Sequence, residues 1–98
     1  METRYVWDRQ KAQANLRKHG IAFEDATFVF DDPAVVTWQD RIEGHEYRYC
    51  SIGRVAGTLL LIVAHTWEDQ DGVEIVRIIS ARRAVRRERR IYEDARAG

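Results

Sequence analysis

A single cysteine, Cys50, stands in the chain, so no internal disulfide can form and a reducing compartment suits it best. Proline is equally scarce, with one residue, and no low-complexity run marks a linker or a disordered tail. Long hydrophobic runs are missing as well. No segment approaches the ~20 apolar residues of a membrane-spanning helix, and the opening METRYVWDRQ has no apolar stretch of the signal-peptide kind. The expectation is a cytoplasmic protein with no membrane partner. Net charge is absent too, since 16 Lys and Arg oppose 16 Asp and Glu. A whole-molecule attraction to nucleic acid is thereby excluded. What remains is a composition of 45% hydrophobic and 33% charged residues over 98 positions. That is one ordinary globular domain, 1–98, able to bury a real core.

The zero balance hides a segregation. Bases and acids number five and two in residues 1–20, two and seven in 21–50, one and four in 51–76, and eight and three in 77–98. Basic ends flank an acidic middle. If the ends meet in space, they form one positive patch on a neutral molecule.

Periodicity divides the chain into elements. Residues 4–7 (RYVW) read as a first strand, and Asp8 as the N-cap of a helix over RQKAQANLRKH that stops at Gly20. Ala12, Leu16 and His19 share one of its faces. A second helix fits 23–30, ended by Asp31-Asp32-Pro33. The period then changes to two. Strands fit 35–38, 46–52, 58–66 and 74–80, with turns at 40–44, 53–57 and 69–72. Residues 58–66 (TLLLIVAHT) are apolar on both faces, as a central strand requires. Helix resumes at Ala81 and runs to about Ala95. The predicted order is β-α-α-β-β-β-β-α, an α+β domain whose helices pack on an antiparallel meander.

Several chemistries lack their residues. The three histidines and Cys50 show no pair at metal-ligand spacing, and there is no phosphate-binding glycine loop, GxSxG or CxxC. No metal and no cofactor are expected. His65 ends the most apolar strand, on the face of Leu59, Leu61 and Val63, so it is either a proton-transfer group or a core histidine bonded to backbone. Arg77 lies among Val76, Ile78 and Ile79, and a permanently charged guanidinium there needs an anion or an internal acid such as Glu46 or Glu88. Arg48 alternates with Glu46 and Cys50 and carries the same ambiguity. Arg82, read as opening the last helix, sits against the helix dipole, which hints at a nearby anion or acid. Glu88 falls in the inward stripe of that helix, where a pair with Arg77 or Arg82 would account for it. Arg83, Arg86, Arg87, Arg89 and Arg90 form the outer face, either solvated or a binding surface.

The stretches YVWDRQKAQANLRKHGIAFEDATFVFDDP, EYRYCSIG and VRIISARRAVRRERRIYE together resemble the BrnT family of type II toxins. The family pattern runs (F/Y)xWDxxKxxxNxxKHGxxFxxAxxxFxDP, then ExRyxxxG, then RIISARxAxxxExxxY. It covers Tyr5 to Tyr92. Two positions depart from it: Ala22 stands where a capping Ser or Thr is common, and Glu68 where many members carry a base. The resemblance implies a RelE-like fold, metal-free RNA cleavage that inhibits translation, and silencing by a BrnA-type antitoxin. The complex would pair two toxins with two antitoxins and bind DNA through the antitoxin. On that reading Arg77 and Arg82 hold the scissile phosphate with Arg48 assisting. His65 is the first candidate for acid or base, with Glu46 orienting or replacing it. Arg83, Arg86 and Arg87 face RNA or the antitoxin. The alternative is a non-catalytic module whose arginines anchor an acidic partner segment.

Overall fold

In the computed structural model, which describes residues 2–97, the chain follows the expected order with one short strand added. Its elements are β1 (Glu2–Val6), α1 (Arg9–His19), α2 (Phe23–Ala26), a 3-10 turn (Thr27–Asp31), β2 (Val36–Glu43), β3 (Glu46–Val55), β4 (Leu59–His65), β5 (Glu68–Gln70), β6 (Val73–Arg83) and α3 (Arg86–Ala97). β2, β3, β4 and β6 form the antiparallel meander, and β1 joins the far edge parallel to β6. β5 pairs with the start of β6. β4 therefore lies inside the sheet, which explains its unbroken apolar run.

Alternation assigns the two faces. Val55, Leu61, Val63, Val76, Ile78 and Ala81 pack beneath α1, α2 and the 3-10 turn, against Ile21, Phe23, Ala26 and Val29. Fully burying a side chain of the size of Phe23 contributes about 1.5–3 kcal/mol. On the other face α3 covers a smaller cluster of Ile52, Ile62 and Tyr92, with Val36, Trp38, Cys50 and Leu60 at its margin.

Two polar side chains and a glycine lock the layers. β1 accompanies β6 only as far as Arg77, so the β6 edge beyond it has no strand neighbour on that side. The Asn15 carboxamide substitutes for one: it donates to Ala81 O (2.8 Å) and to Ile21 O (2.9 Å), and accepts from Ala81 N (3.0 Å). Asp32 accepts from Ala34 N, Arg54 N and the Tyr92 hydroxyl at 2.7–2.8 Å, tying α3 to the 3-10 turn and to β3. Gly53 admits the 3-10 turn, because a Cβ there would meet Val29 O at 2.6 Å.

Boundaries differ from the sequence expectation in instructive places. Residues 40–43 continue β2, because the turn is the pair Gly44-His45 alone, both with positive φ. Such a two-residue hairpin keeps the strands paired to their ends. The helix over 23–30 tightens after Ala26 into the 3-10 turn. In α1 the buried residue is Asn15, whereas Leu16 is 51% exposed. The largest change is at the end: Ala81, Arg82 and Arg83 are strand, paired with Val63, Ile62 and Leu61. α3 starts only at Arg86, and the Glu88 carboxylate accepts the Val85 N–H at 2.9 Å. Arg82 is thus not set against a helix dipole.

Candidate active site

α3 covers only one corner of its sheet face, and the rest is open and arginine-lined. The register shows how it is built. Trp38, Cys50, Ala64 and Ser80 are cross-strand neighbours, forming one row across β2, β3, β4 and β6. Beside it Arg41 pairs with Arg48, and Arg77 lies level with Thr66, whose N–H bonds Arg77 O at 3.0 Å. On the other side the row Val36, Ile52, Ile62 and Arg82 runs under α3. The small side chains Ser80, Ala64 and Cys50 make the floor of a trough. Guanidiniums stand on both sides of it.

A bulge makes this arrangement possible. Residues 77 and 82 are an odd number apart, so in a regular strand they would face opposite ways. Between Ala64↔Ser80 and His65↔Ile78 the register shifts by one residue of β6. The extra residue, Ile79, restores parity and turns Arg77 and Arg82 to the same face.

Internal carboxylates hold the arginines. Arg77 donates two bonds to Glu46, at 2.7 and 3.0 Å, and the Arg48 guanidinium reaches the same carboxylate at 3.8 Å. Arg48 and Arg41 are like charges directly opposite, and Glu43 lies between them at 3.5 and 3.2 Å. The Arg48 Nε is buried without a partner. Arg82 forks onto Glu88 with two bonds of 2.8 Å. Hydrogen bonding to Arg77 holds the Glu46 carboxyl below the usual carboxylate range, and hydrogen bonding to Arg82 does the same for Glu88. Both acids are ionised at neutral pH. Glu68, exposed at the start of β5, adds to the negative field around Arg77. A carboxylate fork is also the geometry with which guanidinium binds phosphate.

His65 is away from this face. It is 1% exposed, with its Nδ1 2.9 Å from Thr66 O and its Nε2 2.8 Å from the Ser51 hydroxyl, which in turn meets Thr37 at 2.7 Å. The carbonyl can only accept, so Nδ1 carries the proton and Nε2 accepts from Ser51. Phe30 packs edge-on at 4.9 Å. Burial pushes the imidazole pKa down, leaving it neutral. This is the core histidine of the two readings, and neither ring nitrogen is open to a ligand. Cys50 is half-buried on the trough floor, and burial pushes its thiol pKa up, so it stays protonated.

The outer arginines separate into two groups. Arg86 and Arg87 join Arg90, another residue of the outer face, around a shallow depression of about 440 Å³ on α3. Arg83 pairs with Leu61 on the helix-covered face and lines a different cleft, of about 820 Å³, with Phe28, Asp25 and Asp31. Arg41 went unnoticed because its pairing with Arg48 depends on the two-residue turn at Gly44-His45. Among the described residues no three of His, Cys, Asp and Glu gather as a metal site would require. No helix among them is long and apolar enough to cross a membrane.

A crystal structure of the BrnT ribonuclease toxin of Brucella abortus is similar in fold, with a TM-score of 0.65 and 23% sequence identity, covering 88% of this chain and 100% of that one. No curated protein sequence matches. The model of the family described as "Ribonuclease toxin, BrnT, of type II toxin-antitoxin system" matches residues 7–88, from Trp7 to the Glu88 that holds Arg82. The chain belongs to the BrnT family of type II ribonuclease toxins.

Proposed function

We propose that the chain is a metal-independent endoribonuclease whose active site is the arginine trough, silenced in the cell by a BrnA-type antitoxin. The observation that carries this reading is the placement of Arg48, Arg77 and Arg82 on one sheet face, along the trough that α3 leaves open, beside ionised carboxylates. Cleavage through the 2′-hydroxyl requires a base, cations around the charged phosphorane and a proton for the departing oxygen. Arg77 and Arg48 supply the cations, and Arg82 extends them across the trough. Glu46 takes over the base role first considered for His65, because it is ionised, accessible and beside the two arginines. The proton of the 2′-hydroxyl passes to Glu46, the 2′-oxygen bonds to phosphorus, and the 5′-oxygen leaves with a proton from solvent. The products are a 2′,3′-cyclic phosphate and a 5′-hydroxyl end. Guanidiniums carry the charge neutralisation that a metal would otherwise provide.

A second reading, a non-catalytic module that binds an acidic partner segment, is favoured by the bidentate pairing of Arg77 and Arg82 to internal carboxylates. Incubating the purified protein with RNA in EDTA separates the two. Cleavage that survives chelation and is lost in Arg77→Ala supports the nuclease. Intact RNA with retained binding of the antitoxin supports the module.

A further inference from the structure

The trough has a feature that phosphate chemistry does not use. Its floor row ends, at the β2 edge, in Trp38. This indole packs partly against the Ile52–Ile62–Tyr92 cluster and is partly exposed. The other strand aromatics are elsewhere: Tyr5 packs on Phe30, and Tyr49 clusters with His65 and Trp67 on the opposite face. Tyr47 alternates with Arg48 and shares the Tyr49 side. Trp38 is therefore the aromatic that β1–β6 present on the arginine face among the described residues.

Its surroundings suit a flat ring. Cys50, the cross-strand neighbour, is small, and Ala64 and Ser80 beyond it are smaller still, so the floor in front of the indole is low. Arg48 and Arg41 are the next residues on this face along β3 and toward the end of β2, about one strand spacing and one pleat repeat away. A nucleotide whose phosphate meets Arg48 can thus set its base over the indole. Stacking a base on an aromatic while cations track the backbone is how unpaired strands are held. A paired base has both π-faces occupied by its neighbours and could not enter. We propose that Trp38 is the nucleobase-stacking residue of the site and selects single-stranded RNA. This rests on the ribonuclease reading above.

The test uses the full chain and two probes with the same 2′-O-methyl backbone, which cannot be cleaved through the 2′-oxygen. One is a hexanucleotide, and the other is the same length without bases. Trp7→Phe/Trp67→Phe leaves Trp38 as the fluorophore. The hexanucleotide should quench it and bind roughly tenfold more tightly than the abasic backbone. Trp38→Leu should remove that difference while leaving abasic binding unchanged. Trp38→Tyr should keep most of it, and the comparison of the two probes on the unaltered protein needs no variant at all. Equal affinity for both probes, or binding without quenching, overturns the stacking role but keeps the arginine site. Failure of both probes to bind overturns this proposal and the ribonuclease reading together.

Discussion

Arg77 and Arg82 are paired in the same way, yet their removal should differ. Arg77 and Glu46 are each about two-fifths exposed, so Arg77→Ala frees a carboxylate that water can solvate. Stability should change little while RNA cleavage falls by at least a hundredfold, as loss of a phosphorane-stabilising donor does. Arg82 holds Glu88, whose side chain is 10% exposed. Arg82→Ala leaves that buried carboxylate with the Val85 N–H but without its counter-charge, and unfolding in urea should show a loss of about 2–3 kcal/mol, reduced from the fully buried case by the exposure of Arg82. Equal midpoints for the two variants would show that Glu88 does not depend on Arg82. At His65 the prediction concerns pH. Burial lowers its pKa below the ordinary 6.5, so the unfolded chain takes up a proton that the folded one refuses. Stability is full above pH 6.5 and declines as pH falls toward the folded value. Glu88 and Asp32, lowered from 4.5 and 3.8, add a second decline below about pH 4.5. His65→Asn should flatten the first stage of the midpoint-against-pH curve and leave the second.

At the scale of elements, β6 connects the core to the site. Its outer edge is completed by β1 up to Arg77 and by Asn15 at Ala81, with the bulge at Ile79 between them. Asn15→Leu would leave the amide and carbonyl of Ala81 unsatisfied in a buried place. The expected cost is about 2–4 kcal/mol, or a fall in Tm of roughly 10–20 °C. Thermal unfolding followed by circular dichroism measures it, and an unchanged Tm would mean that water replaces the carboxamide. α3 depends on fewer contacts. Tyr92 reaches Asp32 at 2.7 Å and is flanked by the guanidiniums of Arg54 and Arg96 at 5.6 and 5.7 Å from its ring, while Glu88 joins the first turn to Arg82. The orientation of Arg82 and the docking of α3 are thus one equilibrium.

For the whole molecule, the neutral total conceals a surface with two characters. The trough and the Arg86–Arg87–Arg90 depression are basic, while the cleft beside Phe28 carries Asp25 and Asp31 and holds Arg83 among them. Arg83 therefore does not belong with Arg86 and Arg87. Charge reversal of Arg86, Arg87 and Arg90 together should weaken RNA binding and lower the slope of log K against log salt by about two to three, near the ~0.7 per phosphate contact of a single strand. The same variant with Arg83 added should behave no differently. An unchanged slope for the triple variant would assign those arginines to solvent.

How much of this was legible follows from what each feature depends on. The class of fold, the order of elements, the central place of β4 and the caps at Asp8 and Gly20 depend on period and local chemistry, and both are carried by neighbouring residues. The shared face of Glu46, Arg48 and Cys50 was legible for the same reason, since alternation within β3 is regular. Charge in an apolar or dipole-opposed position brought Arg77, Arg82 and Glu88 forward as residues, and the family motif suggested roles for the two arginines. Which of them meet was decided elsewhere. One residue inserted by the bulge reverses the facing of everything beyond it, and alternation in the sequence cannot reveal an interruption that only the partner strand defines. Ala81, Arg82 and Arg83 became strand because β4 had three residues left to pair, a tertiary demand that overrode their helix propensity. His65 is neutral and enclosed because Ser51 of β3, Phe30 of the 3-10 turn and its own neighbour Thr66 converge on it. The sequence by itself determined the strands, the helices and a supply of arginines. Only the packed sheet decided that Arg48, Arg77 and Arg82 face one trough and that His65 does not.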